Sequence, residues 1–438
     1  MMKNKLVLGI CLVIVFAQVG FTSEMTEKGI YCVNELVEIA LQKSPVIEIA
    51  KTDIQSAKGF LMQMNSPFKP SLSFGLNYKD WDQKRNGYSG APSTTNQFTS
   101  DQLYDSSLTF RQMILDFGKN KNRAKASRIK VKSFENQLFR IQQELIYQIM
   151  SLCISSISQK ASIGAIDKNL QDIDAALKRV IQLKNVGKVA KIDVLRLQYR
   201  KQEILAQRDE AKNQYYILMA NISKFSGLTS PLKGVISETP PEPSKLEQLN
   251  FDDLIKLAYK NRFDLLALIN NQTSSNYLLR AAKHELDPTL NLVATTNKYG
   301  NETGWGINNG YVGVEIKWSL LDGKSAKGKI KTAIAEKNKI ESKINEMKLH
   351  ITSQVNIALS TLKTNLSRIK RSKKGLELAK ETYRIELLTY ENGKATINDL
   401  LDAQAEIFAA RAKLILDKND LFLSRLTLTL ATGKTSVR

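Results

Sequence analysis

The chain has 438 residues, 42% apolar and 24% charged, with a formal net charge of +21. That length suggests two or three domains, and the charged fraction excludes a simple bundle of membrane helices. So basic a balance points to phosphate-bearing partners, nucleic acid or anionic lipid, which composition does not separate.

Lys3 and Lys5 precede an apolar stretch, Leu6 to Phe16, and then small and polar residues from Ala17 to Ser23. The stretch is too short to span a bilayer and reads as a secretory signal over 1–22. Export sets nucleic acid aside as a partner. No later run is long and apolar enough to predict a membrane helix.

A duplication organises the remainder. Leu36, Ala40 and Pro70-Ser71-Leu72 recur 218 positions on as Leu254, Ala258 and Pro288-Thr289-Leu290. Leu115-Asp116, Gly187, Asp193, Gln198 and Gly227 recur 206 positions on as Leu321-Asp322, Gly393, Asp399, Gln404 and Gly433. The change of offset gives the first copy a longer loop between Pro70 and Leu115. The copies are 23–229 and 251–438, joined by a linker over 230–250 that holds Pro231, Pro240, Pro241 and Pro243.

Each copy opens with a predicted helix, Asn34 to Ser66 and Phe251 to Leu286. Strands follow. Leu72, Phe74, Leu76 and Tyr78 alternate with polar residues, and Leu108, Phe110 and Ile114 do so less cleanly. Leu290, Leu292 and Ala294 form the twin of the first run. Val312, Val314, Ile316, Trp318 and Leu320 alternate with Gly313, Glu315, Lys317 and Ser319. Strands of about ten residues with one apolar and one charged face suit a tilted membrane strand with water behind it. Half of a soluble sandwich would read the same. Asp80 to Asp101 and Tyr299 to Gly310 read as hairpin loops, the first longer and more mobile. Four strands cannot close a barrel, so strands that span a membrane must be pooled among several chains.

A long helix follows each hairpin. From Asp322 to Tyr390 it would measure roughly 100 Å, and no proline occurs from Thr289 to Arg438 to interrupt it. Ile344, Met347, Ile351, Val355, Ala358, Leu362, Leu366 and Ile369 follow an eleven-residue repeat, which keeps an apolar stripe straight. After Asn392-Gly393-Lys394, Leu400, Ile407, Leu414, Leu421 and Leu428 form heptads, which ask for coiled-coil packing.

The twice-repeated order of helix, hairpin, long helix, turn and helix resembles the TolC family of outer-membrane channels. The junctions Leu115-Asp116-Phe117-Gly118 and Leu321-Asp322-Gly323 carry the resemblance, as do the tips Gly187 to Leu197 and Gly393 to Ala403. It implies an α+β membrane protein. Three identical chains, with four strands each, would form a twelve-stranded β-barrel continued by a long α-helical barrel with a coiled-coil tip. It further implies an outer-membrane location with most of the chain in the periplasm. The function implied is passive export, in a tripartite efflux pump or type I secretion system. The partners implied are a periplasmic adaptor (membrane-fusion) protein, an inner-membrane transporter and outer-membrane lipids.

In the family, acids at the tip ring the three-fold axis and narrow the pore. The matching positions are Asp193, Asp399 and Asp402, with Tyr390 at the place of a gate-holding tyrosine and Gly187 and Gly393 at the tip turns. Ala395 departs from the pattern, standing where a relative carries a latching arginine. The residues also permit a capping role: Thr396-x-x-Asp399 fits a capping box, and acids in a first turn suit the helix dipole. Asp402 lies beyond the first turn, which leaves it the better gate candidate.

Cations crowd the start of both long helices: Lys119, Lys121, Arg123, Lys125, Arg128, Lys130 and Lys132, then Lys324, Lys327, Lys329 and Lys331. They oppose the helix dipole. A collar on phospholipid headgroups, a lumenal lining and a solvated face all fit them. His284 and His350 stand apart from any metal-site spacing. Gly323-Lys324-Ser325 and Gly433-Lys434-Thr435 lack the earlier glycine of a phosphate loop. No metal, cofactor or catalytic constellation emerges, so no enzyme is expected. Cys32 and Cys153 fall at matching heights along their helices and could pair. The alternative function is an exported basic coiled-coil protein that binds anionic polymers or surfaces without forming a pore.

Overall fold

The computed structural model describes residues 29–87, 98–230, 232–236, 245–301 and 304–434. The signal segment and the tip of the first hairpin lie outside them, as does part of the linker. In chain order the elements are β1 (Ile30–Cys32), α1 (Val33–Lys43), α2 (Pro45–Asn65), β2 (Ser71–Gly87), β3 (Phe98–Leu115), α3 (Lys119–Asn185) and α4 (Lys191–Ser226). Then come β4 (Gly234–Ile236), α5 (Phe251–Asn261), α6 (Phe263–Lys283), β5 (Thr289–Asn301), β6 (Gly304–Lys317), α7 (Ser325–Glu391) and α8 (Ile397–Ala431). The duplication is plain in the lengths: α1 and α5 have 11 residues, α2 and α6 have 21, and α3 and α7 have 67.

Each opening helix is broken, where a single helix was expected. Ser44 and Arg262 at the breaks are extended, with φ/ψ of −66°/126° and −75°/115°. In the first copy Pro45 explains this, since a residue before proline is pushed out of the helical region. The second copy has no proline and holds the same bend with Arg262, which is 1% exposed. Its guanidinium donates to Asp264 at 3.1 Å through Nε and also to Gln354 of α7.

The strands β2-β3-β5-β6 form one antiparallel sheet in that order. They are longer than the alternation predicted. Tyr299 to Gly310 is not a loop: Tyr299 pairs with Ile307, Gly300 with Trp305 and Asn301 with Gly304. Its glycines and asparagines mask the strand because they carry no alternation. In the first hairpin Asp80–Gly87 and Phe98–Asp101 are likewise strand, and the comparison of loop mobilities falls on residues outside those described. Trp318 and Leu320 lie past the end of β6.

The helices continue the sheet. Near the strands α2, α3, α6 and α7 lie side by side in the order of the strands they join, and beyond them α4 and α8 return along α3 and α7. Two equivalent apolar cores fix the middle: Leu36, Ile149 and Ile222 in one, Leu254, Val355 and Leu428 in the other. Cys153 is fully buried in the first core, where the second copy has Leu359. Both cysteines among the described residues, Cys32 and Cys153, are free, so the possible pairing does not form. Cys32 instead caps α1, its Sγ accepting from the Glu35 backbone N–H at 3.4 Å, and burial raises the Cys153 thiol to about 12. By length and composition alone α3 contains one stretch apolar enough to cross a membrane, and it packs against α2, α4, α6 and α8.

Candidate functional site: a duct wall, its membrane junction and its tip

The strand register sorts the sheet into two faces. Leu72, Phe74, Leu76 and Tyr78 of β2 stand level with Phe110, Leu108, Ser106 and Tyr104 of β3. Leu290, Leu292 and Ala294 of β5 stand level with Ile316, Val314 and Val312 of β6 on the same side. Most of this apolar face is open, with Leu72, Phe74, Val312 and Ile316 all at least 68% exposed. Tyr78, Tyr104 and Trp305 cluster at its far end, with ring centroids 5.2 and 6.2 Å apart, and Trp318 is exposed at the near end. Aromatic residues at both borders of an apolar band are the pattern of a membrane barrel wall. The opposite face is polar. There Arg111 donates to Glu315 at 2.7 Å, and the Thr109 and Thr295 hydroxyls lie 3.0 Å apart. The outer strands β2 and β6 each leave one edge unpaired among the described residues.

At the junction, each copy turns from strand to long helix on two consecutive residues of positive φ, Phe117-Gly118 and Gly323-Lys324. The preceding acid closes the turn. Asp116 is buried and accepts from the backbone N–H groups of Gly118, at 3.0 Å, and Asn120. Asp322 accepts from that of Ala326. These acids supply the favourable charge that the basic first turns lack.

The basic cluster is divided in space. Lys119, Arg123 and Lys329 converge on Glu285, at 3.2, 3.1 and 2.5 Å. Burial raises the Glu285 carboxyl and the three cations outweigh it, leaving it below its ordinary range. The absence of acids along the sequence of the cluster therefore misled: Glu285, at the end of α6, links the starts of α3 and α7. Lys121, Lys125, Lys324, Lys327 and Lys331 remain exposed, Lys125 with its ammonium 5.7 Å from the Tyr277 ring centre.

At the far end, Gly187 and Gly393 take φ of 76° and 70° and end α3 and α7, with Lys188 N–H donating to Leu183 O at 2.9 Å and Lys394 to Thr389 at 3.0 Å. These are the left-handed helix ends that favour glycine. Asp399 acts as a cap: its Oδ2 accepts from Thr396 N–H and Oγ1 at 2.7 and 2.8 Å, and these bonds lower its pKa. Tyr390 is buried, its hydroxyl has no partner among the described residues, and its pKa is raised by burial and then by the charge of Asp193 from the other repeat. Asp402 is exposed. Ala395 packs on the apolar core of the tip. The two turns sit level, tied by Arg196 to Asn398 at 2.8 Å and by contact of Arg179 with Glu391.

A family model described as outer membrane efflux protein matches residues 36–228 and 254–434, the two copies without the linker between them. The chain belongs to the outer membrane efflux protein family. This efflux protein is 21% identical to outer membrane protein TolC of Escherichia coli (strain K12) over 429 residues, 94% of its own length and 84% of the relative's. It is 24% identical to nodulation protein T of Rhizobium leguminosarum bv. trifolii over 243 residues, spanning 52% of itself and about half (50%) of that relative. Its fold matches the outer membrane protein VceC of Vibrio cholerae with a TM-score of 0.76 at 17% identity, covering 92% of this chain and 96% of that one. Membership makes the efflux protein an outer-membrane exit duct and sets aside the pore-less coiled-coil alternative.

Proposed function

We propose that three copies of this efflux protein close a twelve-stranded barrel in the outer membrane and continue it as a helical duct through the periplasm. One observation carries the reading: a four-stranded sheet, apolar on one face and polar on the other, with both edges unpaired. In hydrocarbon each open edge would leave backbone groups unsatisfied at several kcal/mol apiece, and closure by like chains removes the edges. The duct is passive and not an enzyme. Energy and cargo choice come from an inner-membrane transporter joined through a periplasmic adaptor at the tip, as in a tripartite pump or type I secretion. Native mass measurement of the detergent-solubilised protein is expected to give a trimer, and planar bilayers an ion-conducting pore. A stable monomer without conductance would overturn the reading.

A further inference from the structure

Beside the membrane junction, a groove of about 620 Å³ opens across α2, α3, α6 and α7. Its floor forms where α3 and α6 approach over small residues, with the Ser274 hydroxyl donating to the Ala126 carbonyl at 2.9 Å. Its walls are apolar: Phe60 and Met64 from α2, Leu268 and Leu278 from α6, and Ile340 from α7. Phe60 and Leu278 are 52% and 48% exposed, so the groove is open to a solute. A space of this size suits a small organic molecule.

Charge enters the groove from one side of each long helix. On α3, Arg123 and Lys130 share the face of Ala126 and Ser127. Lys121, Lys125, Arg128 and Lys132 fall, at three- and four-residue steps, on the opposite face. On α7, Glu336 and Lys343 flank Ile340. Two of the groove's charges are answered within the chain, Arg123 by Glu285 at 3.1 Å and Glu336 by Lys339 at 3.7 Å. Lys130 donates to Asn271 Oδ1 at 3.0 Å and, like Lys343, has no ion pair among the described residues. The groove opens on the side of the polar sheet face. Asn120, about one turn before Arg123 on the same side of α3, donates to Met113 Sδ at 3.6 Å. Met113 alternates with Arg111 and Thr109 along that polar face.

We propose that this groove binds small amphipathic organic anions, an apolar body lying against Phe60, Leu268 and Ile340 and a sulfonate or carboxylate reaching Lys130 and Lys343. The side chains favour that class over its neighbours. A bare inorganic anion would leave the apolar walls unused, and a neutral or cationic solute would leave both ammonium groups unanswered. On the duct reading above, the polar side is the lumen, so the inference names a cargo chemistry for that reading and rests on it. Lys130 and Lys343 are both exposed, which suits a station that solutes enter and leave rather than a tight trap.

The test uses the full chain in phosphatidylcholine nanodiscs, titrated with naphthalene-2-sulfonate and followed by its fluorescence against empty discs. Saturable binding is expected, and Lys130→Gln with Lys343→Gln should weaken it about tenfold. Phe60→Ser should weaken it too, whereas Arg128→Gln with Lys132→Gln, on the opposite face, should not. Naphthalene-2-methanol and methanesulfonate, each lacking one half of the probe, should compete poorly. In planar bilayers the same sulfonate should reduce the current, and the variant lacking Lys130 and Lys343 should resist it. No saturable binding, binding that survives the loss of Lys130 and Lys343, or equal weakening by the two charge pairs would overturn the groove. Sulfonate binding by a wild type that carries no current would keep the groove and overturn the duct.

Discussion

Phe117 and Lys324 hold the same left-handed geometry that glycine takes beside each of them, since the glycine of the junction falls second in one copy and first in the other. A residue with a Cβ loses about 1–2 kcal/mol in that region. Lys324 is exposed, so nothing else ties it to its place. Lys324→Gly is therefore expected to stabilise the protein by roughly 0.5–1 kcal/mol, after the added freedom of the unfolded chain is subtracted. The denaturant midpoint of the detergent-solubilised protein should rise, and a fall would show that Lys324 makes a bond outweighing its strain. At this scale the sequence was partly legible. The tip glycines and the capping box of Thr396 and Asp399 announce themselves through fixed spacings. Glu285 does not, because its three cations come from α3 and α7, whose approach only the fold creates.

The broken opening helices show one element built by two means. Pro45 bends the first copy through its ring, and Pro45→Ala should cost only about 0.4–1 kcal/mol through the freed unfolded chain. Arg262 bends the second through a buried ion pair, and Arg262→Met should cost about 3–5 kcal/mol because it strands Asp264. Burial raises the Asp264 carboxyl, while Arg262 and then Arg140 more than offset that and leave it depressed. Its contribution to stability is then present above the unfolded carboxylate pKa, near 4, and is lost as pH falls through the lower folded value. The stability gap between wild type and Asp264→Asn should be constant near neutrality and close in acid; a gap that widened in acid would contradict this. The matching of helix lengths between the copies was legible from the duplication; Ser44-Pro45 carried a signal for the first break, which the expectation of a single helix overlooked. The break at Arg262 was not, since Asn261-Arg262-Phe263 contains no residue that forbids a helix.

At the level of the whole molecule, the apolar sheet face and the basic junction are expected to meet the same membrane border. The exposed Lys121, Lys125, Lys327 and Lys331 should each contribute on the order of 1 kcal/mol to anionic lipid. Reversing those four charges should weaken binding of phosphatidylglycerol to the purified protein and spare its assembly, because the Glu285 knot is untouched. Unchanged lipid binding with a shift toward cation selectivity would place them on the lumen. At the tip, Asp402→Ala should raise planar-bilayer conductance and reduce block by divalent cations. Asp399→Ala should chiefly weaken the start of α8, by about 0.5–2 kcal/mol, since its carboxylate is already engaged by Thr396. Equal electrical effects from both would return Asp399 to the gate. The duct architecture was legible because it is written twice; the roles of the acids were not, because a cap and a gate ask for the same residue at the same place.

The equal lengths of α3 and α7, 67 residues each, have a mechanical meaning. The duct's reach is recorded in two independent rulers, and its rim is flush only while they agree. Seven residues added to α3 alone would push one turn about 10 Å past the other and part Arg196 from Asn398. The same insertion in α3, α4, α7 and α8 together would keep every heptad in phase and simply lengthen the tube. A change in the width to be bridged can thus be met only by edits made in concert in both halves of the gene.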